Sequence, residues 1–536
     1  MYNSANHIIT TSNAPLPEEA KGGMGHFCFN FMKIHKDKVA EIDASTGQEE
    51  TFGSMLIKSV RISLMLQKKG IRKGDLVIIY SKMQLNAGVP ILSCFFIGAI
   101  PVYIDAFLTR AEIINLLKQV DPKLVLTTDE LAETVQSIME KDIRSDASIM
   151  VYDSDYDKEQ EGEEGFKPIY IEDLKEVVTI SLSSGTTGLS KGILLDHYSS
   201  LRRSGLNYEG LWKENQRKMI FSLDSFHWVL ELNRFIISIA QGFCRLIDPA
   251  LPFDPTRVWN LLADYKINVA GLIPYFIVEM CRVGIPKGLD LSSLTTICVV
   301  GSSTSKNYHK QMQELLPNVD VLLVYGQTET GVLSTFRKCD LHRAYNRRKL
   351  GSVGVPYEGV GLSYKVVDIT TEKNVGPNEM GELRVKGDVL LSGYHNLDSS
   401  SQFDEDGWLK TGDLVIFDED LCFFILDRIK DLIIFQGWHV PPAFIENELL
   451  THPSVKKVAV IGIPNETDGE HPMGLVVLKD KREGVTPEEI QKYIAERMED
   501  RFHLRAGVKF IDGSYFDDKK KTKRYYLKKM VLSGQL

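Results

Sequence analysis

A loop rich in glycine and hydroxyl groups is the strongest chemical signal in this 536-residue sequence. Residues 182–192 read LSSGTTGLSKG and follow an apolar run that predicts a buried strand. Glycines allow tight turns and let backbone N–H groups approach an anion closely. The loop is therefore predicted to cradle a triphosphate or a pyrophosphate. Its residues that could face phosphate oxygens are Ser183, Ser184, Gly185, Thr186, Thr187, Gly188 and Lys191.

The spacing in this loop differs from that of the Walker phosphate loop. The Walker pattern GxxxxGK[ST] needs a lysine directly after its last glycine. Here Lys191 stands three residues after Gly188 and precedes Gly192. A P-loop NTPase is therefore disfavoured, and a plain Gly/Ser/Thr-rich surface loop is the alternative interpretation.

The segment SSGTTGLSKG resembles the signature loop of the adenylate-forming superfamily, which includes acyl- and aryl-CoA ligases, beetle luciferases and nonribosomal adenylation domains. The similarity continues in the order of that family along nearly the whole chain. Over its whole length, including the segments TGDLVIFDED and DRIKDLIIFQG, the sequence most resembles the branch of coumarate-CoA ligases and insect luciferases. The resemblance implies an enzyme that uses ATP and Mg²⁺ to activate a small carboxylic acid.

Residues 325–331 read YGQTETG, which is similar to the family motif YGxTE. The resemblance implies that Tyr325 and Gly326 lie against adenine and that the Thr328 hydroxyl approaches phosphate. Glu329 would hold Mg²⁺, because that ion prefers carboxylate and phosphate oxygens. The alternative for Glu329 is a solvated acid after a strand.

Residues 408–413, WLKTGD, resemble the family motif W-x-x-TGD. The resemblance implies that Asp413 binds the ribose hydroxyls, since a carboxylate only accepts hydrogen bonds and can take two O–H donors.

Two further turns match the family less completely. His227 in the sequence SFHW stands where the family has an FH motif that borders the acid pocket, and in this family the side chain changes orientation between the half-reactions. The alternative is a core histidine. Gly301, Ser302 and Ser303 resemble the turn that edges the adenine pocket, although Val300 precedes them and Ser303 stands where the family has alanine. A plain turn at a strand end is the alternative here.

Residues 427–431, DRIKD, resemble the family hinge. The resemblance implies that Arg428 touches the nucleotide and that Lys430 is the pivot about which the C-terminal domain swings. The resemblance also implies that Gly437 begins a segment that faces the thiol tunnel in the second half-reaction. Gln436 replaces a lysine that assists this step in coumarate-CoA ligases and beetle luciferases.

The catalytic lysine of the family lies in the segment DDKKKTKRYYL, residues 517–527. Aligning Leu527 with the family's leucine places Lys521 at the catalytic position, with Lys520 in place of the usual glycine. A lysine with positive φ costs roughly 1 kcal/mol or more. Lys519, Lys520 and Lys523 are therefore alternative donors, and a solvated basic run or a nuclear signal is a further interpretation.

Alternating strand and helix patterns must position these motifs. Apolar runs at 74–80, 123–127, 177–182 and 295–300 predict buried strands of parallel sheets. Residues 87–104 are apolar enough for a membrane span, but two prolines and Gly98 divide them. We predict instead a buried helix that ends near Gly98, followed by a short interior strand.

The predicted fold class is α/β, with a large N-terminal domain of two stacked αβαβα-type sheets and a small β-barrel-like subdomain. A small mobile α+β domain follows. The predicted bounds are 1–427 for the large domain, with subdomains roughly at 1–195, 196–350 and 351–427, and 428–536 for the C-terminal domain. Thr486 is the predicted N-cap of a C-terminal helix.

Net charge, cysteine pattern and targeting signals argue against several classes of protein. The formal net charge of −9 gives no general attraction to nucleic acid. Seven scattered cysteines, odd in number, without a CxxC pair, predict reduced cytosolic thiols. Neither a secretory signal nor a peroxisomal SKL-type address is recognised, so a cytoplasmic location without a membrane span is expected. The oligomeric state stays open.

The predicted reaction is ATP- and Mg²⁺-dependent formation of an acyl-adenylate with release of pyrophosphate, followed by transfer of the acyl group to CoA. In this prediction Lys521, His227, Thr186 and Thr187 carry the catalysis. One alternative is a luciferase that oxidises an adenylated luciferin with O₂, and a second is a pseudoenzyme that only binds nucleotide. The acid stays open between aromatic and medium-chain compounds.

Overall fold

The structure is a computed structural model, and it describes most of the chain. The described residues are 1–143, 147–183, 191–204, 218–249, 253–302, 304, 306–337, 339–479, 484–516 and 524–536.

The first sheet of the large domain is parallel throughout. Its order is Ile100–Asp105, Leu76–Ser81, Leu124–Thr127, Ser148–Val151. Helices cover it: Phe52–Lys68, Val89–Ile97, Arg110–Val120 and Asp129–Ile138. The prediction for residues 87–104 is confirmed, since the helix stops where Gly98 adopts a φ of 71°. Among the described residues no helix is long and apolar enough to cross a membrane.

The second sheet has seven strands, and all of its pairs are parallel except the last one. Its order is Asp320–Leu323, Thr296–Val299, Val269–Leu272, Met219–Ser222, Cys244–Ile247, Val39–Asp43, Glu49–Thr51. Its helices include Val229–Gln241, Pro255–Asp264, Pro274–Val283, Lys306–Leu315 and Asp340–Arg348. Because parallel sheets of this kind bind ligands outside the carboxyl ends of their strands, this edge positions much of the candidate site.

The strand before the predicted phosphate loop differs from expectation. Val177–Ser183 pairs antiparallel with Lys191–Asp196, and Gly393–Tyr394 continues this small sheet. The prediction of a parallel partner for this run is therefore wrong. Only residues 184–190 separate the two strands, whereas a parallel connection needs a dozen residues or more. The short helix His197–Arg203 packs on these two strands, and the helix Gly23–Ile34 packs on that helix.

The predicted β-rich region forms an antiparallel sheet, which we call the barrel sheet. Its strands are Tyr2–Asn3, Ile8–Thr10, Ser363–Val367, Asn374–Val375, Gly381–Lys386, Leu409–Phe417 and Phe423–Arg428. Residues 2–10 thus join a sheet formed otherwise by residues beyond 360. A second small sheet of Tyr325–Gln327, Gly331–Thr335 and Val355–Pro356 adjoins it. The exact domain bounds stay a prediction.

The smaller C-terminal domain is α+β. Its strands are Ile433–Phe435, Trp438–Val440, Val455–Asn465, Gly469–Leu478 and Val508–Phe510, and its helices are Pro442–Leu449, Pro487–Ala495 and Arg524–Leu532. The Thr486 hydroxyl accepts a hydrogen bond from the Glu489 amide at 3.2 Å, so the predicted N-cap is confirmed. The α/β fold with a large N-terminal and a smaller C-terminal domain is confirmed as well.

Candidate active site

Asp413 is the centre of a polar cluster at the end of the large domain. Tyr325 Oη donates to Asp413 Oδ2 at 2.6 Å, and Gln327 Nε2 donates to the same oxygen at 2.7 Å. Arg428 Nε lies 2.7 Å from Asp413 Oδ1. The structure therefore brings together three residues that the sequence predicted separately, and adds Gln327 to them.

The lone pairs of Asp413 leave room for a ligand. A carboxylate offers about four acceptor positions, and Tyr325, Gln327 and Arg428 occupy three of them. Burial and the Asp413 charge raise the pKa of Tyr325 well above its usual value, so its hydroxyl stays a donor. One position on Oδ1 could accept a ribose hydroxyl.

Gln327 and Thr411 hold the cluster to the barrel sheet. Gln327 Nε2 also donates to the Thr411 carbonyl at 2.8 Å, and the Asp413 amide donates to Thr411 Oγ1 at 3.1 Å. Gln327 belongs to the motif YGQTETG, but the sequence alone assigned it no role. Its position between Tyr325 and Glu329, on the short strand Tyr325–Gln327, was the available signal.

Gly326 allows two strands to approach closely. A Cβ added there would lie 2.2 Å from the Gly331 carbonyl oxygen, which no side chain could tolerate. This close approach turns the chain back after Glu329. The glycine is therefore needed by the turn that carries Thr328 and Glu329, in addition to any contact with adenine.

Arg203 clamps the same turn from the helix His197–Arg203. Its Nη1 donates to the Thr328 carbonyl at 2.8 Å, and its Nη2 donates to the Glu329 carbonyl at 2.7 Å. Both Nε and Nη2 donate to the Val389 carbonyl. Burial lowers the pKa of Arg203 to about 10, which still leaves it charged at neutral pH. Sequence reasoning missed this residue, because nothing local relates it to residues 328–329.

Glu329 lies beside the end of the predicted phosphate loop. Tyr394 Oη donates to Glu329 Oε1 at 3.1 Å, and the Lys191 ammonium lies 5.0 Å from the centre of the Tyr394 ring. Lys191 pairs with Ser183 in the two strands that flank residues 184–190. Tyr394 thus lies between Glu329 and Lys191.

A single carboxylate in this position fits Mg²⁺. Among the described residues no group of three or more metal-ligating side chains occurs. Mg²⁺ is commonly held by one or two carboxylates together with substrate phosphates, so Glu329 needs no further protein ligand.

His227 lies between the first sheet and the strand that leads to the loop. It lines a cavity of about 10 Å³, together with Tyr103, Phe226 and Leu182. That volume is about enough for one water molecule. Its ring meets the exposed Trp228 edge-on, with ring centres 5.6 Å apart. His227 therefore lies close to the strand that precedes the loop, and its place at the border of an acid pocket stays a prediction.

Gly301 and Ser302 follow the strand Thr296–Val299 at the carboxyl edge of the second sheet. Gly301 has a φ of 109°, which favours glycine, and Ser302 is exposed. A Cβ on Gly301 would lie 3.6 Å from the Ile273 side chain. Their binding of adenine stays a prediction.

The hinge segment contacts both domains. Asp427 accepts from the Ala443 amide at 2.8 Å and from Arg524 Nη1 at 3.2 Å. Arg524 also donates to Glu446 at 2.7 Å. The next residue, Arg428, binds Asp413, so the C-terminal helix is linked through the hinge to the Asp413 cluster. Lys430 is exposed in the turn Ile429–Asp431, and its pivot role stays a prediction.

Among the described residues, the contacts around Gly437 do not connect it to the Asp413 cluster. It is at the tip of the hairpin formed by Ile433–Phe435 and Trp438–Val440, where its φ is 80° and that of Gln436 is 48°. Gln436 Nε2 donates to Asp468 within the same domain at 2.9 Å. A role for Gly437 thus requires another arrangement of the two domains.

Several predicted site residues lie outside the described part of the chain. They are Ser184, Gly185, Thr186, Thr187, Gly188, Ser303 and Lys521.

Replacing Arg203 with methionine is expected to weaken ATP binding. The Thr328 and Glu329 carbonyls would lose a charged donor, and each such bond typically contributes about 1.5–3 kcal/mol. We expect the KM for ATP to rise at least about tenfold, measured by pyrophosphate release, with a lower melting temperature.

The neighbouring Arg202 supplies a matched control. It donates to Asn13, Ala14 and Gly359 and so fixes the N-terminal segment instead of the turn. Arg202→Met should lower the melting temperature and leave the KM for ATP within about threefold. Equal effects of both variants on the KM would show that Arg203 acts only through stability.

Comparison with known proteins identifies a family for most of the chain. The family model of the AMP-binding enzyme matches residues 29–395, and that of the AMP-binding enzyme C-terminal domain matches residues 445–518. A 4-coumarate–CoA ligase 2 of Petroselinum crispum is 28% identical over 526 residues, covering 95% of this chain and 94% of the relative. A luciferin 4-monooxygenase of Nipponoluciola cruciata is 28% identical over 497 residues, covering 88% of each chain.

Among solved structures, the fold is similar to that of o-succinylbenzoate CoA synthetase (MenE) from Bacillus subtilis in complex with the acyl-adenylate intermediate OSB-AMP. The TM-score is 0.80 at 22% identity, and the alignment covers 94% of this chain and 97% of that one. This likeness supports the fold alone.

Proposed function

Because this chain belongs to the family of AMP-binding enzymes, we propose that it activates a carboxylic acid with ATP and Mg²⁺ and then transfers the acyl group to CoA. The observation that carries the proposal is a pair of contact sets that meet on the segment 325–329: Lys191 contacts Tyr394, which binds Glu329, and Tyr325 binds Asp413. These contacts support the proposal, because Lys191, Glu329 and Asp413 are residues that the sequence predicted to bind phosphate, metal and ribose.

In the first step a carboxylate oxygen of the acid attacks the α-phosphorus of ATP. The bond from that phosphorus to the oxygen bridging to the β-phosphate breaks, and pyrophosphate leaves with the electron pair. Asp413 would hold the ribose and Tyr325 the adenine. Mg²⁺ on Glu329 would neutralise phosphate charge. Lys521, Thr186 and Thr187 are proposed to stabilise the charge that develops on the transferring group.

In the second step the thiol of CoA attacks the carbonyl carbon of the acyl-adenylate. The bond from that carbon to the phosphate oxygen breaks, AMP leaves with the electron pair, and the thiol proton passes to solvent. Rotation of the C-terminal domain about Lys430 would bring the Gly437 hairpin towards the thiol. Gln436, which stands where coumarate-CoA ligases and beetle luciferases usually have an assisting lysine, leaves this step to other groups.

Measuring pyrophosphate release across a library of aromatic and aliphatic acids tests this proposal. We expect release that depends on acid, ATP and Mg²⁺, followed by an acyl-CoA product seen by mass spectrometry when CoA is added. Nucleotide binding without release for every acid would instead indicate a pseudoenzyme.

The similarity to a luciferin 4-monooxygenase calls for a second assay. Luciferins, ATP, Mg²⁺ and O₂ are mixed with the enzyme in a luminometer. Light that requires ATP would favour the luciferase function. Darkness together with acyl-CoA formation would favour the ligase.

A further inference from the structure

One guanidinium spans the predicted pivot between the two domains. Arg524 Nη1 donates to Asp427 Oδ1 at 3.2 Å and to Asp431 Oδ2 at 3.4 Å. Asp427 precedes Lys430 along the chain, whereas Asp431 follows it. The other nitrogens of Arg524 donate to Glu446, Nε at 3.0 Å and Nη2 at 2.7 Å. We call the side chains of Arg524, Asp427, Asp431 and Glu446 the Arg524 bridge.

The Arg524 bridge joins the two domains at one carboxylate. Asp427 lies in the last strand of the barrel sheet, which belongs to the large domain. Arg524 is the first residue of the last helix, and its partner Glu446 also accepts from the Val460 amide at 2.8 Å. Arg524 is thus fixed inside the small domain by its two bonds to Glu446, and it presents its remaining nitrogen to the large domain.

The contact between Asp427 and Arg524 is sheltered from water. The side chain of Asp427 is 4% exposed and that of Arg524 is 17% exposed. Burial raises the pKa of Asp427, the Arg524 charge opposes this shift, and the Glu446 charge adds to it. Without the guanidinium, a carboxylate of the large domain would face one of the small domain, and like charges repel. Arg524 therefore turns a repulsive contact between the domains into an attractive one.

Rotation at the pivot breaks this contact. A change of the backbone torsions of Lys430 moves Asp431 and all later residues relative to Asp427. Hydrogen bonds weaken steeply as their distance and angle depart from the optimum, so one nitrogen serves both carboxylates in one geometry. The apolar cluster at the same place, which includes Leu426 and Phe444, is held by a non-directional force and tolerates sliding. The Arg524 bridge therefore distinguishes this domain arrangement from others.

The arrangement held by the Arg524 bridge suits the first of the two proposed steps. Arg428, the neighbour of Asp427, binds Asp413, so the bridge keeps the start of the last helix on the side of the Asp413 cluster. The hairpin of Gly437, which the second step needs, is not connected to that cluster by the contacts of the described residues. The second step thus requires the bridge to open.

We propose that Arg524 and Asp427 are positioning residues whose bond stabilises the domain arrangement for acid activation and breaks before transfer to CoA. This inference rests on the proposed function, since it assigns the two steps to two arrangements. Neither residue touches the reacting atoms. Their bond sets how the enzyme divides its time between the steps.

The test measures the two steps separately in the full-length enzyme. Pyrophosphate release reports the first step, and acyl-CoA formation from an acyl-adenylate made beforehand reports the second. Because each step proceeds in its own arrangement, the ratio of the two rates follows the equilibrium between the arrangements. A general loss of stability lowers both rates and leaves their ratio unchanged.

Two variants open the Arg524 bridge from opposite sides. Asp427→Asn weakens the contact between the domains and keeps the pair of Arg524 with Glu446. The double variant Arg524→Met with Glu446→Gln removes the guanidinium without leaving its partner in the small domain as an unpaired carboxylate. In each variant we expect the ratio of first-step to second-step rate to fall by about 10–100-fold, the range of one hydrogen bond to a charged group.

The matched control lies on the same helix but joins nothing across the pivot. Lys528 donates to Glu470, and both residues belong to the small domain. Lys528→Met with Glu470→Gln removes an ion pair of similar kind, with side chains 31% and 22% exposed. We expect a lower melting temperature and a ratio of the two rates within about threefold of wild type.

The distance between the domains gives a readout that needs no substrate. One spin label is placed on Cys339, which is exposed in the large domain, and the other on Lys492→Cys in the small domain, where the native side chain is 77% exposed. The half-buried thiols are removed as Cys281→Ser and Cys298→Ser. By double electron–electron resonance we expect both bridge variants to lose part of the wild-type distance population, and the control to retain it.

The possible failures are distinct. Bridge variants that keep the wild-type ratio of rates, or that lose both rates equally, overturn this inference and leave the proposed function intact. Absence of pyrophosphate release with every acid overturns the proposed function. The distance measurement then decides on the bridge alone: an unchanged distribution in both variants overturns its role, and a shift in both supports it as the contact that sets the domain arrangement.

Discussion

Asp413→Asn is expected to lower kcat/KM for ATP by about 10²-fold or more in pyrophosphate exchange. The carboxylate accepts from Tyr325, Gln327 and Arg428, and asparagine would offer one of these donors an N–H group instead of an oxygen. The remaining acceptor for ribose would be lost, and so would the charge that balances Arg428. A hydrogen bond to a charged group typically contributes about 1.5–3 kcal/mol, so two such losses account for the expected factor.

Asp404 is the matched control for this variant. It is a half-buried aspartate that pairs with Lys365 at 2.8 Å and with Arg384 at 3.3 Å, much as Asp413 pairs with Arg428. Asp404→Asn should lower the melting temperature and leave kcat/KM for ATP within about threefold. If Asp413→Asn did no more harm to exchange than Asp404→Asn, the assignment of Asp413 to the ribose would be wrong.

Lys521→Ala is expected to reduce acyl-adenylate formation by about 10²–10³-fold without unfolding the protein. Removing one well-placed donor to a developing charge typically costs this much in kcat. Lys521 is outside the described residues, but Arg524, three residues later, is held by Asp427 and Glu446 beside the hinge. These contacts hold the start of the last helix on the side of the Asp413 cluster.

The other lysines of the same run serve as controls. Lys520→Ala and Lys523→Ala should retain exchange within about fivefold, because in this assignment only Lys521 donates to the developing charge. A general basic surface would instead tolerate the loss of any one of the three lysines. The second step is measured separately, by adding CoA to an acyl-adenylate made beforehand, and Lys521→Ala should leave it nearly unchanged. A large loss in Lys523→Ala with normal exchange in Lys521→Ala would move the catalytic role to Lys523.

Arg203 and Gln327 show why part of the candidate site was not predictable from the sequence. Arg203 acts on the carbonyls of Thr328 and Glu329, 125 and 126 residues away. An arginine that binds backbone carbonyls needs no particular side chain at its partner, so no pattern of residue types marks the contact. Gln327 stood inside a recognised motif, yet its link to Asp413 depends on two strands that meet only in the folded chain.

The sequence alone determined the local features: the glycine-rich loop, the order of the motifs, the end of the helix at Gly98 and the α/β class. These depend on residue type and on spacing over a few positions, where backbone preferences and hydrophobic periodicity act directly. The tertiary structure alone decided the antiparallel partner of Val177–Ser183, the joining of residues 2–10 to the barrel sheet, and the pairing of Arg524 with Asp427. Such contacts follow from how elements pack, and many sequences with the same local patterns could pack otherwise.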